Sequence, residues 1–329
     1  MRRDRILEAY QAVKTIGEGV AVREKLLGLK LPPTLRPEEL MALAKAIEVL
    51  KEQARPNLQT EYSLLDHGYV KLIDWMGDDL SPLEAARMST GNESGVDKAK
   101  DDGTRDHLYR NLHTSPFEFG EIVLEIQSPI IVPRQWMRHR TQSYNEFSGR
   151  YSVMPDMMWL PPVERVKYQS GFNKQGSGDA LPVEIAEEWL ARLTSERETI
   201  RSNYEWAIEH GIARELARID LPVAQYTRFR AKANLKNWFG FLALRDDDHA
   251  QEEIRTYAQV VDRIVADLFP RCHGVYEEHT KYAKRFSRTE MMVIRSMLAG
   301  VSDEDREAEA SDFNMTGSRL REFLAKLEG

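Results

Sequence analysis

Residues 135–151 read Gln135-Trp136-Met137-Arg138-His139-Arg140-Thr141-Gln142-Ser143-Tyr144-Asn145-Glu146-Phe147-Ser148-Gly149-Arg150-Tyr151. The stretch concentrates guanidinium forks, amides and hydroxyls, the groups that recognise planar, charged ligands. From Ile130 to Tyr151 the arginines are Arg134, Arg138, Arg140 and Arg150, there is no lysine, and Glu146 is the sole acid. Arginine without lysine points to bidentate clasping of phosphate or carboxylate rather than to a general positive face. Pro129 and Pro133 bracket a short helix running into Arg138, and Tyr144 to Val153 reads as loop then strand.

On either side the pattern is mostly helical. Apolar residues recur at helical spacing over Arg36 to Gln53 and, more weakly, over Arg5 to Leu27. Tyr69 to Met76 is strand-like, and Ser81-Pro82 supplies an N-cap and a first-turn proline for a helix over Leu83 to Met88. A polar loop around Gly91 to Gly103 precedes a helix over Arg105 to Leu112, and Phe117 to Ile126 alternates as a strand does. Tyr168 to Asp179, punctuated by glycine and serine, reads as a mobile loop. Further on come a long helix over Glu184 to Glu209 stopped by Gly211, a short helix to Arg218, a strand near Gln225 to Ala231, and helices over Lys236 to Leu244 and Asp248 to Leu268. The tail from Ser302 to Leu327 is charged and helical. Many helices and few strands, not in strict alternation, predict an α+β fold: a mixed or antiparallel sheet flanked by long helices.

At 329 residues and 42% hydrophobic content the chain can bury a core of ordinary size. A net charge of -7 opposes sequence-independent binding to nucleic acid, so any anion site must be local. No apolar run approaches the ~20 residues of a membrane span, and no secretory h-region forms near the start. A single cysteine, Cys272, excludes an internal disulfide and suits a reducing compartment, so a cytoplasmic location is expected. His273 beside it does not make it a nucleophile; a buried, inert thiol is the commoner state. No Gly-x-Gly-x-x-Gly follows a predicted strand, no Walker-type phosphate loop exists, and the histidines show no metal-ligand spacing.

Arg138-His139-Arg140, seven residues, then Ser148-Gly149-Arg150-Tyr151-Ser152 resembles the signature of the flavin-dependent thymidylate synthases. His113-Thr114-Ser115-Pro116-Phe117-Glu118, Ala217 to Pro222, Tyr226 to Phe229, Asn234, and Leu244-Arg245-Asp246 to His249-Ala250-Gln251 resemble that family's other blocks, in its order. The resemblance covers roughly residues 62–285 and implies a catalytic domain at 61–285 between helical extensions at 1–60 and 286–329. It departs at three points: Lys236 stands for a flavin-contacting arginine, Gly240 for an asparagine of some members, and Phe119 for a histidine.

What the resemblance implies is conversion of dUMP to dTMP, with 5,10-methylenetetrahydrofolate as carbon donor and FAD, reduced by NADPH, as hydride source. No cysteine nucleophile takes part. Carbon 5 of uracil is a weak nucleophile, so charge developing on the pyrimidine edge needs a fixed cation, and by resemblance Arg245 is that catalytic group. Gln135, Trp136, Met137, Arg138, Glu146, Phe147, Ser148, Gly149, Arg150 and Arg218 match dUMP positions. Ser115, Glu118, Arg138, His139, Arg140, Asn145, Glu146, Asn234 and Lys236 match FAD positions, and His113 a folate or flavin contact. A homotetramer with sites where subunits meet is also implied, with neither metal, nucleic acid nor membrane as partner.

Taken singly, several of these residues have plainer readings. Arg218, three residues after Glu215, could be a surface ion pair, and His113 a loop histidine. Arg245 and His249, four apart, could share a solvated helix face, and Trp238, Phe239, Phe241 and Leu242 read as core. Two rival functions stand beside the main one. The first is a flavin- and nucleotide-binding oxidoreductase without methyl transfer; the second is a single-stranded nucleic-acid binder stacking bases on Trp136, Tyr144 and Tyr151.

Overall fold

A computed structural model describes residues 60–89, 98–171 and 176–328. The helices expected over Arg5 to Leu27 and Arg36 to Gln53 lie outside these residues. The chain divides into two compact units, the first ending at Lys281 and the second beginning at Tyr282.

In chain order the first unit runs β1 (Glu61–Leu64), β2 (Gly68–Met76), α1 (Ser81–Arg87), α2 (Lys98–Arg110), a 3-10 turn (Ser115–Phe119), β3 (Glu121–Pro129), α3 (Pro133–Trp136) and β4 (Ser143–Glu146). A second 3-10 turn (Val163–Arg165), β5 (Lys167–Gln169), β6 (Ser177–Ala180), α4 (Val183–Glu209), α5 (Arg214–Ala217) and β7 (Tyr226–Asn234) follow. It closes with α6 (Leu235–Arg245), α7 (Glu252–Leu268), α8 (Pro270–Tyr276) and a π-turn (Glu277–Lys281). The second unit holds α9 (Arg288–Met297), opened by a Ser287/Glu290 capping box, then α10 (Asp303–Asp312) and α11 (Gly317–Glu328).

The sheet order is β1-β2-β3-β7-β4, and every pairing is antiparallel. This is the α+β fold expected, in its antiparallel form. Period-2 alternation sorts the strands into two faces. Val70, Leu72, Ile122, Leu124, Ile126, Phe229, Ala231 and Ala233 are buried and meet Trp238, Phe241, Ile254, Tyr257, Val261 and Val265 of α6 and α7 in one core. The other face carries cross-strand pairs, Lys232 to Glu121 at 2.9 Å and Arg230 to Glu125 at 3.2 Å. Gly68 is required here because a Cβ would stand 1.9 Å from the Tyr257 hydroxyl, which donates to the Gln127 carbonyl at 2.8 Å.

Several elements differ from the sequence expectation. Phe117 to Phe119 form a 3-10 turn behind Pro116, and β3 starts only at Glu121. The stretch after Tyr144 is strand first, then turn, because Ser143–Glu146 pairs with β7 and the amides of Tyr151 and Ser152 fold back on the Ser148 carbonyl. The Tyr168 to Asp179 segment contributes both strands of a small antiparallel ribbon, β5 and β6. α1 begins at Ser81 itself, and the N-H groups of Leu80 and Ser81 are bonded by Asp78 Oδ1. α7 starts at Glu252, so His249 is in a loop with Asp247 and shares no helix face with Arg245, the last residue of α6.

Candidate active site

The arginine-rich stretch hangs on two supports. Trp136, fully buried, packs against Phe241 with ring centroids 4.4 Å apart, and its Nε1 donates to Gln142 Oε1 at 3.1 Å. The Tyr144 hydroxyl donates to the His139 carbonyl at 2.9 Å. These contacts hold the turn through Arg138, His139 and Arg140 against the end of α6. Trp136 is therefore a pillar beneath the loop, its ring packed into the core. Met137 also packs toward the core.

Arg245 meets this turn from α6. Its Nε donates to His139 Nε2 at 3.0 Å and its Nη2 to the Gln135 carbonyl at 3.2 Å. His139 must therefore be neutral at Nε2. Burial first, and then the Arg245 charge, hold its pKa down at about 4, against an ordinary 6.5. A base whose folded value lies below its unfolded one contributes stability that is complete above pH ~6.5 and is lost as pH falls toward ~4. His139→Gln is expected to flatten the pH dependence of the melting temperature across that window. Equal slopes in wild type and variant would dismiss the effect.

A second group forms at the other end of β4. Ser148 Oγ accepts from the Arg150 amide at 3.3 Å, and Arg150 Nε pairs with Glu215 at 3.1 Å. Arg218, just past α5, lies across Gly149: a Cβ there would meet Arg218 Cδ at 3.0 Å and Met154 Sδ at 2.7 Å. Arg218 thus belongs to the Ser148 turn, not to an ion pair with Glu215. Phe147 is tied by its amide to the Arg228 carbonyl at 2.8 Å. Glu146 Oε1 accepts from Thr227 Oγ1 at 2.8 Å, and Asn145 stands opposite Arg230 in the sheet register.

A third group surrounds the first turn of α6. Asn234 caps the helix, its Oδ1 accepting from the Asn237 amide at 2.9 Å. Lys236 Nζ pairs with Glu118 at 2.9 Å, which brings in the 3-10 turn that starts at Ser115. Asn237 Nδ2 donates to the Thr141 carbonyl at 3.2 Å and so joins this group to the Arg140 loop. His113 stands apart from these bonds, its ring stacked on His107 at 6.0 Å. Gly240 faces open space and Phe119 is exposed. Cys272 is fully buried, which pushes its thiol pKa well up and leaves it no nucleophilic role.

Asn237 and Glu253 enter the picture only with the structure, and Thr227, inside the Tyr226 to Phe229 block, gains its partner Glu146 there. Asn237 carried a faint signal as the residue three past a cap. Glu253 carried another, an acid set in the apolar stripe of α7. Among the described residues no group of three or more His, Cys, Asp or Glu could hold a metal ion, and no helix is long and apolar enough to cross a membrane.

An antiparallel α+β scaffold presenting forks, amides and a serine turn on one loop system defines a binder of phosphorylated, planar ligands. Comparison with known proteins gives that class a family. The model for the family described as "Thymidylate synthase complementing protein" matches residues 71–271. The flavin-dependent thymidylate synthase of Treponema denticola is 38% identical over 82% of this chain and 98% of its own length. That of Thermus thermophilus is 41% identical over 81% and 95%. Among solved structures, the UMP/dUMP methylase PolB of Streptomyces cacaoi bound with 5-Br dUMP superposes with a TM-score of 0.60 at 30% identity, covering 67% of this chain and 99% of that one. The chain belongs to the flavin-dependent thymidylate synthase family.

Proposed function

We propose that this protein converts dUMP to dTMP with 5,10-methylenetetrahydrofolate and NADPH as co-substrates and FAD as cofactor, and that the three groups of side chains above are its site. The observation that carries the reading is electrostatic. In a chain of net charge -7, no carboxylate among the described residues lies within ion-pair distance of Arg138, Arg140 or Arg218, although all three stand on the motif loops. Arginines left without acids on the motif loops favour an anionic ligand.

The 5′-phosphate is assigned to Ser148, Gly149, Arg150 and Arg218, where a turn, a hydroxyl and two guanidinium groups converge. Gln135, Arg138, Glu146 and Arg245 are assigned to the nucleoside, with Arg245 as the catalytic residue. The backbone of Trp136, Met137 and Phe147 completes the set. A flavin fits the donors around the first turn of α6: Asn234, whose Oδ1 is spent on the cap, leaves its NH2 for a ligand, and Arg138, His139, Arg140, Asn145 and Ser115 lie on the adjoining loops. Lys236 and Glu118 neutralise each other within this set. FAD when bound supplies the hydride that turns the transferred carbon into a methyl group. His113 is kept as a folate or flavin contact, one that its present place beside His107 does not yet join to the loops.

A homotetramer with shared sites is part of the proposal. What supports it is the separation of the phosphate group from the Arg245 group by β4, about 13 Å of strand at ~3.3 Å per residue. The exposed Tyr151, Leu216 and Ile219 flanking the phosphate group offer apolar area for a neighbour. The catalytic unit is assigned to residues 61–285, with extensions 1–60 and 286–329, and the protein to the cytoplasm on account of its single thiol.

The test is dTMP formation by flavin-loaded protein, omitting dUMP, methylenetetrahydrofolate or NADPH in turn. Product that vanishes with each omission is expected; flavin reduction without product would favour the oxidoreductase reading. Arg138→Ala is expected to weaken dUMP binding roughly 10- to 100-fold by titration calorimetry, the loss of a charge-assisted contact. Wild-type affinity would remove Arg138 from the nucleotide set.

A further inference from the structure

Gln135 is one end of a line of side chains that leaves the loops and enters the protein. Its Nε2 donates to Gln251 Oε1 at 2.5 Å, and Gln251 Nε2 donates to Glu253 Oε2. Glu253, 2% exposed, is clasped by Arg165, Nε to Oε1 at 2.6 Å and Nη2 to Oε2 at 3.3 Å. Gln251 is the N-cap residue of α7 and Arg165 closes the turn before β5, so the line spans three elements.

A primary amide can be turned over with almost no change of shape, so its polarity has to be set by its neighbours. Here the far end sets it. A carboxylate only accepts, and this one is gripped by a guanidinium that only donates. Gln251 must therefore give its NH2 to Glu253 and its oxygen to Gln135. Gln135 must then give its NH2 to Gln251. The result is that the Gln135 oxygen is left as the acceptor on the side away from Gln251. Its backbone carbonyl is already held by Arg245.

We infer that Gln251 and Glu253 are positioning residues that fix the polarity of the Gln135 amide, so that it meets the nucleotide as an acceptor for a ligand N-H or O-H. This rests on the assignment of Gln135 to the dUMP site. Neither positioning residue touches the ligand.

The experiment is a double-mutant cycle on flavin-loaded protein with dUMP as the probe, reading KM against kcat and flavin content. Gln251→Leu keeps the Arg165–Glu253 pair intact, so it tests the line without a buried charge left alone. It is expected to raise the KM for dUMP about 5- to 20-fold, with a smaller change in kcat. Gln135→Leu should do the same, and the double variant should be no worse than Gln135→Leu alone. Arg165→Gln with Glu253→Gln, which removes the charges together, should also raise KM, since two neutral amides no longer dictate a direction. Additive effects of Gln251→Leu and Gln135→Leu, or an unchanged KM in Gln251→Leu, would overturn the inference while leaving Gln135 in the site. An unchanged KM in Gln135→Leu would overturn both.

Discussion

Arg245→Ala is expected to lower dTMP formation by at least about 100-fold at saturating dUMP, with flavin content unchanged. The side chain is half-buried at the end of α6, and two of its nitrogens are anchored, on His139 Nε2 and on the Gln135 carbonyl. An anchored guanidinium is already oriented when charge develops on the pyrimidine, which is the condition for electrostatic catalysis at low reorganisation cost. Its charge also adds to burial in keeping His139 neutral, so the alanine variant loses the cation and one of the two causes of the imidazole's state. Arg245→Lys should recover part of the rate, because a single ammonium cannot hold both anchors and still face the ring. Steady-state kinetics and the flavin absorbance of the purified variant decide the matter: wild-type turnover would end the catalytic assignment, and loss of flavin would move Arg245 to cofactor retention.

The second large effect concerns stability. Asp79 is buried, yet its carboxylate accepts the amides of Arg271 at 3.1 and 3.0 Å and of Cys272 at 2.9 Å, the first-turn N-H groups of α8. Burial raises its pKa, with those bonds and Arg105 pulling the other way. Asp79→Ala would leave buried amides without acceptors at a helix start. A loss of about 2–4 kcal/mol is expected from the cap and the unsatisfied donors together. Urea denaturation of the apo protein is the measurement. Asp79→Asn, which keeps one acceptor oxygen, should lose less, and a midpoint unmoved by Asp79→Ala would show that water satisfies the amides.

How far the sequence carried these conclusions depended on whether each signal was local. The long helix α4 was legible because its apolar stripe runs for many turns and Gly211, at φ +74°, stops it. β2 and β7 were legible from alternation, which burial on one face enforces. β1, β5 and β6 were not: they are three or four residues long and largely exposed, so only their partners make them strands. Among the site residues, the motif spacing identified the loops, but a four-residue helix such as α3 has no period from which to tell that Trp136 faces inward. The division of the arginines into a group with Arg218 and a group with Arg245 was equally hidden, since it depends on which end of β4 each joins. Gln251 ends the stretch that runs from Leu244 through His249, but its link to Glu253 and Arg165 crosses from residue 165 to residue 253 and has no sequence signature.

The position of β7 bears on how the protein is made. It lies between β3 and β4, and pairs with β3 from Glu121↔Asn234 to Pro129↔Tyr226, yet it is the last of these strands to leave the ribosome. Until it arrives, the nascent chain carries the whole arginine-rich loop with no neighbour for β4 to lie against, and β3 shows an unpaired edge to whatever else is present. Chains arrested or cleaved before Tyr226 would therefore be candidates for chaperone capture and edge-to-edge aggregation rather than for partial activity.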